Sequence, residues 1–330
     1  MALLARARTH DLHVEAGGLR GAVPRLEDLI ALRGAARHVN WQMRTRVRSA
    51  RPGVRASRFR GRGIDFAETR IYEPGDDVRH IDWRVTARTG RAHTKIFQEE
   101  RERPVLVVAD LGPSSFFGTR RRMKSVAVTE LAGLLIWAAF DGGDRIGAIV
   151  RGPEGHQAFR PRHSRATVLR IQRRLVADAT ALAEHFRAGA ETAAMPTGFG
   201  LGDALLQARR VARPGTTVVV VSDFADTDAL DEQGEVRRNL RLIARHCEVD
   251  AVLVSDPFER ELPAADRYPL SDGLRRTELD TGPERTRRAW RDAFTRRRQL
   301  LEQAVHGGRG RVLTVGTEDD LDTRLGEWLR

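Results

Sequence analysis

Three aspartates stand at the ends of apolar runs. Asp110 closes Val105 to Ala109, Asp223 follows Thr217 to Ser222, and Asp256 follows Val249 to Ser255. Carboxylates so placed, with hydroxyls nearby, are the hard oxygen donors that hold a divalent cation such as Mg²⁺. Asp110, Ser114 and Asp223 form the candidate metal set, with Ser115 and Asp226 close behind them in sequence. The same residues also suit a plainer purpose, because an Asp after a strand can cap a helix or order a loop by accepting backbone N–H groups. A metal-assisted phosphodiesterase using Asp110, Asp223 and Asp226 is the enzyme chemistry such a set would support. Other catalytic settings are missing from the sequence. It contains no Gly-x-Ser-x-Gly elbow, no Gly-x-x-x-x-Gly-Lys-Ser/Thr phosphate loop and no His-Glu-x-x-His. With one cysteine, Cys247, an intrachain disulfide and all motifs needing two cysteines are excluded. No residue is assigned a catalytic role.

A second group lies upstream. Glu68, Arg70, Tyr72, Asp76, Asp77, Arg79, Asp82, Trp83, Arg84 and Arg88 mix charge signs densely around the turn Pro74-Gly75-Asp76. Such mixing suits ion pairs, including bidentate Arg–carboxylate pairs. Pro fixes φ in the turn and Gly tolerates positive φ. Tyr72 and Trp83 are amphipathic anchors, either for holding this segment to a core or for gripping a partner.

The elements that would position these residues fall into two stretches. Residues 1–103 lack strand–helix alternation. A short helix is predicted around Leu26 to Leu32, and extended pieces around Phe59, Phe66 to Tyr72 and His93 to Phe97, which together make a small β-rich extension. From residue 104 to 330 buried-type strands alternate with helices. Strands are predicted at Val105–Ala109, Arg145–Val150, Thr217–Val221, Val249–Val254 and Arg311–Val315, with a short one at Ala158–Phe159. Helices are predicted over Arg120–Phe140, from Ser164 through Val176, over Gly202–Val211, Val236–His246, Arg285–Val305 and Leu321–Leu329, with a loop or hairpin at Arg267–Asp280. This alternation implies an α/β domain with a doubly wound, mainly parallel sheet, which gathers functional groups at the carboxyl ends of its strands.

Charge is regional. The chain of 330 residues carries a net charge of +12, but residues 1–103 hold 22 Lys/Arg against 13 Asp/Glu, and the remainder 35 against 32. Leu29 to Ile64 contains ten arginines and no acid, and Lys95 and Lys124 are the only lysines of the chain. The basic arm Arg44 to Arg62 suits an acidic protein face, a membrane surface or nucleic acid, although Trp41 and Phe59 are the only aromatics interleaved with it. No run approaches the roughly 18 apolar residues of a membrane-spanning helix. The start of the chain does not read as a secretory signal, so a cytoplasmic location is expected.

The longest specific pattern is Gly61-Arg62-Gly63-Ile64-Asp65-Phe66, then Glu68, Arg70, the run Tyr72 to Trp83, and Ala87-Arg88. It resembles the signature of the domain-of-unknown-function 58 (DUF 58) family, which precedes a von Willebrand factor type A-like domain. Phe97 through Glu100 is similar to the segment that the family places before its first core strand. Asp110-Leu111-Gly112-Pro113-Ser114 and Ser222-Asp223 likewise resemble the metal-ion-dependent adhesion site of von Willebrand type A domains. Gly112 stands where that site has its first Ser, and Phe199 where it has a Thr, with Thr197 out of register. The resemblance implies a non-enzymatic adaptor or co-chaperone acting with a MoxR-type AAA+ ATPase on client proteins, with no cofactor required and Mg²⁺ only at a degenerate site. It implies partner contacts through Arg70, Tyr72, Asp76, Asp77, Arg79, Asp82, Trp83 and Arg88, and a partner surface around Asp110, Ser114 and Asp223. Nucleic-acid binding by the basic arm is the alternative from another class, with the phosphodiesterase a further one.

Overall fold

In the computed structural model the described residues are 21–39, 64–74, 76, 78–99, 104–188, 199–263, 266–271, 276–306 and 310–330. The basic arm, Trp41, Phe59, Gly75, Asp77 and Thr197 lie outside them. The chain divides into two compact units, residues 50–102 and residues 1–49 with 103–330.

Helix α1 (Leu26–Ala36) opens the described chain. The smaller unit follows, as β1 (Ile64–Ile71), α2 (Trp83–Thr89) and β2 (His93–Glu99). The two strands pair antiparallel with a bulge between Phe66 and Glu68. Asp82 starts α2 by accepting the N–H groups of Arg84 and Val85, and Gly90 ends it in the left-handed conformation, φ 68°. The sequence predicts β structure here. The helix escapes prediction because its seven residues bury nothing and therefore show no apolar stripe.

The larger unit runs β3 (Pro104–Asp110), α3 (Lys124–Asp141), β4 (Arg145–Gly152), β5 (Gly155–Arg162), α4 (Arg165–Ala188) and α5 (Leu201–Val211). It continues through β6 (Thr217–Ser222), α6 (Glu235–Ala244), β7 (Glu248–Ser255), the single turn α7 (Pro257–Arg260) and the hairpin β8 (Arg267–Ser271) and β9 (Arg276–Asp280). It closes with α8 (Glu284–His306), β10 (Val312–Gly316) and α9 (Leu321–Leu329). A six-stranded sheet has the order β10-β7-β6-β3-β4-β5, parallel except for the antiparallel edge strand β5. This is the doubly wound, mainly parallel α/β sheet expected from the sequence.

Alternation along each central strand feeds two cores. Val105, Val107 and Ala109 join Val219, Val221, Val252 and Val254 beneath α1, α3, α4 and α9. Leu106 and Val108 join Val218, Val220, Ala251 and Leu253 beneath α5, α6 and α8. Burial on both faces explains why these strands read as continuous apolar runs.

Two boundaries differ from expectation. α3 starts at Lys124, not near Arg120, because the Gly21 N–H donates to the Arg121 carbonyl and the Gly21 carbonyl accepts the Met123 N–H, and this Gly21–Arg122 bridge holds residues 121–123 out of the helix. α4 continues past Val176 to Ala188, since Ala179, Leu182, Ala183 and Phe186 extend its buried stripe.

The extension expected over 1–103 is also divided. Leu29, Leu32 and Ala36 are buried in the core of the larger unit, and Trp137 Nε1 donates to the Leu29 carbonyl at 2.9 Å. Arg33 adds a 2.9 Å ion pair to Asp141 and stacks over the Trp137 ring. Leu29→Ala should therefore cost about 2–5 kcal/mol of global stability by urea unfolding. A loss below about 0.5 kcal/mol would mean that α1 contributes little to this core.

Candidate functional site

The carboxyl ends of β3, β4 and β6 meet in one place. Parallel pairing of β3 with β4 sets Asp110 opposite Arg151. Arg151 Nη1 donates to Asp110 Oδ1 at 2.6 Å, and its Nε donates to the Phe199 carbonyl at 2.8 Å. Ser222 Oγ donates to Asp110 Oδ2 at 2.6 Å and accepts the Phe224 N–H, while Gly112 N–H donates to Asp110 Oδ1. Gly112 has a steric reason to be glycine, because a Cβ there would run into the Arg151 guanidinium.

A second cation lies alongside. Lys124, the first residue of α3, is buried, and its Nζ donates to Asp223 Oδ2 at 2.7 Å and to Glu259 Oε1 at 2.9 Å. Ser114 Oγ donates to the other Asp223 oxygen at 3.1 Å, as does the Ala225 N–H. Arg297 from α8 donates to the Asp223 carbonyl and lies 3.6 Å from Glu259. Burial works against the charge on Asp223, but Lys124, helped by Arg297 and the Ser114 hydroxyl, outweighs it and holds the carboxyl below the ordinary Asp range. Burial likewise opposes the charge on Lys124, and Asp223 with Glu259 outweighs it, raising the ammonium above its usual value. Phe224, just beyond, has φ 45°, the only positive φ outside glycine among the described residues. A buried aromatic there is uncommon, and the bonds from Ser222 and Asp223 hold the turn in that conformation.

Around these groups lies a cleft of about 410 Å³, walled by Phe186, Leu201, Phe224 and Val236 as well as by Asp110, Ser114, Arg151 and Asp223. Asp226 and Glu235 line it too, are exposed, and form no ion pair among the described residues. The sequence-predicted set Asp110, Ser114 and Asp223 is thus brought together, with Asp226 in the same cleft. Asp256 is elsewhere in role: it caps α7 at Phe258 N–H and accepts the hydroxyls of Thr119 and Thr317.

Sequence reasoning missed Arg151, Lys124, Glu259 and Arg297. A usable signal existed for Lys124, a rare lysine heading a helix whose next fifteen residues are all buried. For Arg151 the signal was only its place opposite Asp110 once the strands are paired.

A divalent cation needs several open oxygen donors. Gly112 and Phe199 offer no side-chain oxygen here, and Asp110 and Asp223 each already face a cation of the chain. The residues present do not fit a divalent cation.

In the smaller unit the signature residues divide by role. Arg70 Nη2 donates to Asp76 Oδ1 at 2.7 Å, and Asp76 Oδ2 accepts the Glu73 N–H, so this pair closes the turn. Asp82 caps α2 and lies 3.7 Å from Lys95, and the backbone N–H bond from Val85 lowers its pKa most. Tyr72 is half-buried, and its N–H donates to the Ala92 carbonyl. Arg79 and Arg88 are exposed, and Trp83 is 70% exposed.

A doubly wound α/β domain with paired strand-end carboxylates, preceded by this turn-and-cap unit, is the class of protein defined so far. The chain belongs to the family described as "Protein of unknown function DUF58", whose family model matches residues 68–300. It is 29% identical over 272 residues to the uncharacterized proteins Rv1480 of Mycobacterium tuberculosis and Mb1516 of Mycobacterium bovis, covering 79% of this chain and 77% of theirs. Among solved structures it is similar to the conserved hypothetical protein BatB from Bacteroides thetaiotaomicron, at TM-score 0.43 and 13% identity over 68% of this chain and 95% of that one. An aerotolerance-related membrane protein from Bacteroides fragilis matches at TM-score 0.41 and 15% identity over 68% and 97% of the two chains. A von Willebrand factor type A protein from Catenulispora acidiphila matches at 0.34 and 11%, over 72% and 44%. Among the described residues no helix is long and apolar enough to cross a membrane.

Removing one partner of a buried ion pair strands the other, so Asp223→Asn should cost about 3–5 kcal/mol at neutral pH. A carboxyl whose folded pKa is depressed stabilises fully above its unfolded value, and that contribution is lost as pH falls through the folded value. The gap between wild type and Asp223→Asn should therefore close below about pH 4 in urea unfolding series. A gap that stays constant with pH would show that the charge of Asp223 is not what stabilises. In the smaller unit, Asp82→Ala should remove the cap of α2, read as faster amide exchange across Trp83–Thr89. Unchanged exchange would deny the cap its role.

Proposed function

We propose that this chain is a non-enzymatic adaptor that docks on a MoxR-type AAA+ ATPase and helps it assemble or activate client proteins. The observation that carries the proposal is the strand-end cleft. Its two central carboxylates are committed to Lys124 and Arg151, so what remains on offer is shape, apolar wall and rim charge. Those are the materials of a binding surface. The ATPase as partner comes from the family resemblance of the signature motif. The acidic rim at Asp226 and Glu235 favours a partner segment presenting basic or apolar side chains. Trp83 on the smaller unit provides a large exposed ring of the kind that anchors interfaces.

The test is binding of the purified full chain to a MoxR-type AAA+ ATPase, by biolayer interferometry with ATP, ADP or no nucleotide. The double variant Asp226→Arg, Glu235→Arg should weaken binding at least about tenfold, roughly 1.4 kcal/mol, without changing the thermal midpoint. Trp83→Ala should weaken it comparably, again with stability unchanged. Absence of binding in every nucleotide state would defeat the ATPase as partner, and binding indifferent to both variants would move the contact away from these surfaces.

A further inference from the structure

The carboxyl-end cluster holds two cations of its own at the places where a metal-binding version of the site would need open donors. Lys124 Nζ sits between Asp223 and Glu259, and Arg151 Nη1 sits on Asp110. The two positions lacking a hydroxyl both touch Arg151. The guanidinium occupies the space a side chain at Gly112 would need, and its Nε takes the Phe199 carbonyl. Gly112 and Phe199 thus both lie against the same guanidinium.

We propose that Lys124 and Arg151 are tethered cations that replace a divalent metal, making this strand-end site permanently assembled and indifferent to Mg²⁺. The geometry supports a fixed device. Lys124 and Asp223 have almost no solvent exposure, at 2% each for the side chains. Asp110 accepts from Ser222, Gly112 and Arg151, and Asp223 from Lys124, Ser114 and Ala225. An incoming metal ion would have to displace an ammonium or a guanidinium that cannot diffuse away, and then leave that cation buried without its carboxylate. A charge so stranded is strongly unfavourable. Three loops and the start of α3 are consequently held together by covalently attached charges, and their arrangement does not vary with cation concentration. This inference stands on the larger unit alone and does not depend on the identity of the partner.

The experiment is a Mn²⁺ titration of the full chain followed by electron paramagnetic resonance, with thermal unfolding in excess Mg²⁺ and in EDTA. Wild type should show no Mn²⁺ binding that Asp110→Asn abolishes, and its midpoint should be the same in Mg²⁺ and EDTA. The double variant Lys124→Ala, Arg151→Ala, freed of both cations, should bind Mn²⁺ and gain several degrees in midpoint with Mg²⁺. One Mn²⁺ per wild-type chain, lost in Asp110→Asn, would overturn the proposal even if the double variant does not fold. A folded double variant that ignores both metals would overturn it as well, because the cations would then not be what excludes them.

Discussion

The buried ammonium of Lys124 is the charge around which the larger unit's carboxyl-end face is arranged. It stands at the first position of α3, where the helix dipole disfavours a cation. Desolvation disfavours it again. Asp223 from the end of β6 and Glu259 from α7 must therefore approach within hydrogen-bonding distance, and Arg297 on α8 must approach the same two residues. Because each charge is stable only with the others in place, the loop after β3, the turn after β6, the short α7 and the long α8 are fixed relative to one another. Buried pairs of this kind add little net stability over apolar packing but penalise any arrangement that separates them. Arg122, just before α3, and Glu130 within it repeat the theme, fully buried at 2.5 Å.

That commitment shapes what the cleft offers. A strand-end carboxylate with free lone pairs invites a metal or a proton transfer. One that already accepts from a hydroxyl, a backbone N–H and a guanidinium has most of its lone pairs engaged. Besides these carboxylates the cleft presents apolar walls from Phe186, Leu201 and Val236 and two rim acids, Asp226 and Glu235. In the smaller unit a similar division holds. Arg70, Asp76 and Asp82 are occupied with a turn and a helix start, while Trp83, Arg79 and Arg88 face outward. Signature residues of one short motif thus serve two ends, local structure and an outward surface.

Much of the fold was legible because the central strands are buried on both faces. Val105 to Ala109 and Val218 to Val221 show as short, Val-rich apolar runs, whose length and β-branched content mark them as strands. α9 was legible to the residue at both ends, since its apolar spacing is regular. α2 was not, because a helix that buries nothing leaves no periodic trace. α1 was read as a helix but assigned to the wrong neighbourhood: its attachment through Leu29 and Trp137 spans more than a hundred residues of sequence, and local composition there is dominated by arginine.

The sequence by itself determined the alternating α/β pattern, the aspartates at the strand ends and the turn-and-cap motif before them. Each of these rests on local propensity or on burial periodic along the chain. Only the tertiary structure decided the partners of those aspartates. Arg151 meets Asp110 because two parallel strands fall into one register, and Lys124 meets Asp223 because a helix N-terminus packs beneath the end of a strand 99 residues away. Register and packing are properties of the assembled sheet, and they turned a set of metal-type ligands into a closed set of ion pairs.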